Sequence, residues 1–112
     1  MAILTHRKFR HVLNSGNQTV VVYARGTVVI KGWNLVNNSN TTKYVGIHNI
    51  SDDQIDTLVD VLQVPGGGSV FEKPTTEGIY ESALGVGFAL YDDSTAQTLT
   101  TDADGVTVSF FI

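Results

Sequence analysis

Residues Thr27–Asn37 read TVVIKGWNLVN, a β-branched run that holds the chain's only tryptophan and closes on the polar, turn-rich segment Asn37–Thr42. Strand side chains alternate, so Val28, Ile30, Gly32, Asn34 and Val36 take one face while Val29, Lys31, Trp33 and Leu35 take the other. Neither face is cleanly polar. An edge strand over water shows one wet face, so the pattern predicts a central strand covered on both sides.

Upstream, Thr19–Arg25 (TVVVYAR) is equally β-branched, and Gly26 makes either a tight reversal or a bulge within one long strand. Downstream, the Asn- and Thr-rich turn predicts that Lys43–Asn49 (KYVGIHN) returns as a hairpin partner. Ser51-Asp52-Asp53-Gln54 has the capping-box pattern and predicts one helical turn over Ser51–Ile55. Ile55, Leu58, Val59 and Leu62 suit a helical stripe, yet Thr57–Val64 is as β-prone and lies among strands, so it reads as a strand.

After Pro65-Gly66-Gly67-Gly68, a short run ends at Pro74, which has no amide to donate to a ladder. In Leu84–Tyr91 the alternation is plain: Leu84, Val86, Phe88 and Leu90 against Gly85, Gly87, Ala89 and Tyr91. The nearly bare second face lets a sheet of the same domain, or a subunit, approach closely. Trp33, Gly85, Gly87 and Ala89 are therefore the expected packing or interface residues. A polar loop over Asp92–Asp104 precedes the last strand, Gly105–Ile112. About eight short strands between regular turns predict an all-β fold, an antiparallel β-sandwich of jelly-roll type.

The first eighteen residues read differently. Arg7, Lys8 and Arg10 crowd between His6 and His11, and Ile3, Leu4, Phe9, Val12 and Leu13 form no regular stripe. Residues 1–18 are expected to form an arm that grips a partner through Arg7, Lys8, Phe9 and Arg10, with residues 19–112 as the single domain. A first strand with solvated charges is the alternative. Nucleic acid is a poorer partner for this arm, since Phe9 is its only aromatic and the cation density is modest.

With 112 residues the chain can bury a core without staples, and it has no cysteine, which excludes thiolate catalysis, disulfides and Cys-based zinc sites. No signal peptide and no membrane-spanning run is read, which makes a reducing cytoplasm the expected place of assembly. Net charge is −4, unevenly placed. Six bases and no acid precede Asp52; from Asp52 onward there are eleven acids and only Lys73, giving +6 and −10. Such asymmetry points to an electrostatic partner or to pairing between the halves.

Sequence signals for chemistry are absent. His6, His11 and His48 lack metal-ligand spacing, and Asp92, Asp93, Asp102 and Asp104 do not match a calcium loop. No Ser sits in a nucleophile elbow, and Gly66-Gly67-Gly68-Ser69 lacks the lysine of a phosphate loop. No enzyme, cofactor or metal is expected. Trp33 and Tyr44 could stack on a sugar, although such aromatics more often pack in a core or interface.

The order Gly32-Trp33-Asn34-Leu35-Val36-Asn37, Tyr44-Val45-Gly46-Ile47-His48, Val64-Pro65, Gly78-Ile79-Tyr80-Glu81-Ser82-Ala83-Leu84-Gly85-Val86, then Val106-x-Val108-x-Phe110, resembles small virion structural proteins of tailed bacteriophages. The likeness spans roughly residues 27–112. It implies a non-enzymatic jelly roll of decoration or cement type, a homotrimer on the capsid surface whose partner is the major capsid protein. A tail, neck or fibre component, or a carbohydrate-binding host-attachment module, is the alternative.

Overall fold

A computed structural model describes residues 8–22, 28–52, 54–72, 78, 80–82 and 85–112. Ten strands run in chain order through these residues: β1 (Lys8–Leu13), β2 (Thr19–Val22), β3 (Val28–Ile30), β4 (Gly32–Asn37), β5 (Lys43–Ser51), β6 (Gln54–Val64), β7 (Ser69–Glu72), β8 (Tyr80–Ser82), β9 (Val86–Tyr91) and β10 (Val106–Phe111). One sheet has the order β1-β10-β4-β7 and the other β2-β9-β5-β6, with every pairing antiparallel. Apart from the β5–β6 hairpin, which stays within one sheet, successive strands of these two sheets alternate between them, which is the jelly-roll winding. β3 and β8 form a separate two-stranded ladder.

The core lies between the two sheets. Phe88 of β9 and Phe110 of β10 stack across it with ring centroids 4.5 Å apart, and Leu13, Leu35, Val45, Val86 and Val108 are buried around them. Trp33 is buried in the same cluster, although among the described residues its indole Nε1 has no hydrogen-bond partner.

The opening stretch is central, but it is not one strand covered on both faces. β3 buries Val28 and Ile30, whereas β4 buries Trp33, Leu35 and Asn37. The alternation slips by one residue at Lys31-Gly32, so two ordinary half-buried strands of opposite phase look like one strand that is apolar on both sides. Lys31 marks the break by donating its amide to the Phe111 carbonyl at 2.7 Å.

Two turns also differ from expectation. β4 and β5 are not a hairpin, because they belong to opposite sheets. The crossing between them is held by Asn37, whose buried amide group donates to the carbonyls of Thr41 (2.9 Å) and Val64 (3.0 Å). Its Oδ1 accepts from the amide and hydroxyl of Ser39, so the carboxamide's two donors and two acceptor sites are all used. The capping box over Ser51–Ile55 forms no helical turn. Ser51 pairs with Gln54 across a tight β5–β6 hairpin, with Asp52 at φ 50°, a conformation aspartate tolerates. The strand read over Thr57–Val64 is present and starts earlier, at Gln54.

Residues 8–18 are not an arm. β1 pairs along its whole length with β10, and Leu13 is fully buried. Exposed Arg10 and Val12 alternate with half-buried His11 and buried Leu13, as they do in an edge strand. The segment continues into a turn in which Asn14 Oδ1 accepts from the amides of Gly16 and Asn17. The boundary at residues 18 and 19 therefore separates two strands of one fold. Arg7, the rest of residues 1–7, and the Gly26 question lie outside the described residues.

Candidate partner-binding surface

The outer face of the β1-β10-β4-β7 sheet carries two cross-strand rows. Arg10, Ser109, Asn34 and Phe71 stand opposite one another in the first, and Val12, Thr107, Val36 and Ser69 in the second. Phe71 is 62% exposed, Val12 43% and Val36 37%. One such residue on a surface is ordinary; three on one sheet face, with Arg10 as the only charge in the two rows, form a patch that suits another protein surface. Arg10 is exposed and makes no ion pair among the described residues. Lys8 and Phe9, the other two described members of the expected grip, fall on the same edge strand opposite Phe111 and Phe110.

The second sheet treats its outer face differently. Gly46, Gly87 and Ala89 leave a shallow strip there, and residues of the same sheet fill it. A Cβ on Gly87 would lie 2.7 Å from Ile55 Cγ1, and one on Gly46 would lie 2.7 Å from the Tyr91 ring. Gly85, at φ +126°, has no room beside the Val22 carbonyl. Gly85, Gly87 and Ala89 thus pack within the domain, as Trp33 does on the core side.

His48 and Tyr91 close this strip. His48 Nδ1 lies 2.9 Å from the Asp56 carbonyl, which can only accept, so Nδ1 carries the proton and Nε2 accepts from the Tyr91 hydroxyl at 2.8 Å. Burial first, and the Asp93 carboxylate second, push the Tyr91 phenol above its ordinary value, which keeps it a donor. The chain of two hydrogen bonds ties β9, β5 and β6 together.

The acidic loop is built around Lys43. Its ammonium, on a buried side chain, meets Asp92 at 2.6 Å and Asp102 at 3.5 Å. Burial alone would raise the Asp92 carboxyl. Hydrogen bonds from Lys43 and Thr100, the Lys43 charge and the Thr101 amide outweigh it and hold the group below the usual carboxylate value. Asp93 is also lowered, first by the Thr95 hydroxyl and then by the Thr98 amide. Of the four carboxylates weighed in the sequence as calcium ligands, those of Asp92, Asp93 and Asp102 serve the loop's own folding, and among the described residues no cluster of acids, histidines or cysteines has metal-binding geometry. His11 and His48 lie in different sheets.

Sequence reasoning missed three contributors. Val36 lies in the strand read as covered on both sides, Phe71 in a short run for which no face is assigned, and Asn37 is read as turn chemistry alone. Period-two alternation within Lys8–Leu13 was the available signal for the basic edge. No protein-family model matches the chain, and no curated protein matches it.

Proposed function

We propose that this chain is a non-enzymatic structural protein of a tailed-phage virion, a decoration or cement protein that assembles as a homotrimer and stabilises the shell by contact with the major capsid protein. The jelly-roll winding is compatible with the resemblance in the sequence, but a fold alone does not assign function. The observation that carries the reading is the exposed outer face of β1-β10-β4-β7, where Phe71, Val36 and Val12 are left uncovered. The capsid covers that face, and Phe71 anchors the contact as a large apolar side chain at low entropic cost.

Locating and counting the chain in intact particles tests this. Hundreds of copies spread over the shell are expected; a handful at a vertex would instead favour the tail, neck or fibre reading, and absence from particles would end both. Stripped particles should rebind the purified protein but not its Phe71→Ser variant.

A further inference from the structure

We propose that copies of this chain join head to tail, with the β6 edge of one copy seated on the β1 edge of the next. The proposal deepens the reading above by naming the subunit contact of the homotrimer. β1 and β6 are end strands of different sheets, each with a single ladder partner among the described residues, so each has a side whose backbone groups join no ladder. Of these strands' backbone groups, side chains already engage the Val12 and Asp56 carbonyls, through Asn17 and His48, and the Val61 amide, through Asp60 Oδ1. They lie on opposite sides of the sandwich: β1 is at the side shared with β2, while β6 is at the side shared with β4 and β7.

The first part of β6, Gln54 to Asp60, is exposed apart from half-buried Ile55, and presents Leu58 (39% exposed) and Val59 (43%). It is close in length to the six-residue β1. The charges are complementary. Asp56 and Asp60 are exposed on β6 and Glu72 on the neighbouring β7, and neither strand contains a base. β1 contains Lys8 and Arg10 and no acid.

These charges decide which pairing forms. Antiparallel β6–β6 contact about Leu58 would set Asp56 against Asp60 twice, and β1–β1 contact would set bases against bases. Like charges directly opposite one another destabilise a strand pair. Joining β6 to β1 brings unlike charges together, and a heterologous contact repeats from copy to copy until a ring closes. Arg10 then takes its carboxylate from a second copy, and the capsid contact rests on Phe71 and Val36.

Sedimentation velocity of the purified full-length chain at low and high sodium chloride tests the contact. Assembly at low salt that weakens as salt rises is expected. Asp56→Lys with Asp60→Lys should weaken it by about tenfold or more, as should Lys8→Glu with Arg10→Glu, while the chain carrying all four changes should assemble again. Circular dichroism checks that each variant is folded, and either pair of changes alone suffices if the other fails to fold. A wild-type monomer at low salt, assembly indifferent to the reversals, or a fourfold variant no better than its parents would each overturn the contact. Particle binding separates the two proposals: a monomer that still decorates shells sinks the contact alone, and an assembled ring that ignores shells sinks the function alone.

Discussion

The two sheets of this sandwich share a core but treat their outer faces in opposite ways. On β2-β9-β5-β6 the outward strip of Gly46, Gly87 and Ala89 is nearly bare backbone, yet Ile50, Ile55, His48 and Tyr91 lie over it. On β1-β10-β4-β7 the outward residues are larger, and Phe71, Val12 and Val36 remain open. Bare backbone is thus a sign of close approach and does not say by what. Here the approaching groups come from the same sheet, because bulges in the β5–β6 ladder between Ile47 and Ile50 bend that hairpin.

The contrast can be broken in graded steps. Asn37→Asp should cause the largest loss, about 3 kcal/mol in urea unfolding, because it aims an acceptor at the Thr41 and Val64 carbonyls at the crossing that joins the sheets. Gly46→Val should cost about 2 kcal/mol by overpacking against Tyr91 and His48; an unchanged midpoint would mean that the strip is loosely filled. Tyr91→Phe should cost about 1 kcal/mol, since His48 Nε2 loses its donor.

Acid sharpens the same comparison at the loop. The native Asp92 carboxyl is depressed, so its contribution is complete above the unfolded carboxylate value of about 4 and is lost as pH falls through the lower native value. Stability measured from pH 6 downward should fall through that window, and Asp92→Asn should flatten the decline. At the open face the expected change is smallest: Phe71→Ser should shift stability by no more than about 0.5 kcal/mol while weakening partner binding. A large loss of stability there would mean that Phe71 serves the fold.

Much of the sandwich was legible from alternation and turn residues. Val86, Phe88 and Leu90 face the core as the period of two requires, as do Val106, Val108 and Phe110. The errors arose where two short strands of opposite phase abut, at Lys31-Gly32, and where a turn-rich segment changes sheets, at Asn37–Thr42. A local pattern records which residues can turn but not which strand the chain meets afterwards. For the candidate surface, the basic residues are visible at once and a first strand with solvated charges stands as the alternative to an arm; which strand Lys8 and Arg10 pair with is not legible.

By itself the sequence determined an all-β chain of short strands, its inward residues in β9 and β10, and the separation of basic and acidic halves, because these follow from side-chain chemistry and a period of two. Only the tertiary structure decided that the N-terminal strand pairs with the C-terminal one, that β4 and β5 part into different sheets, and which outer face is covered. Those outcomes depend on contacts between residues far apart in the chain, and no local pattern encodes them.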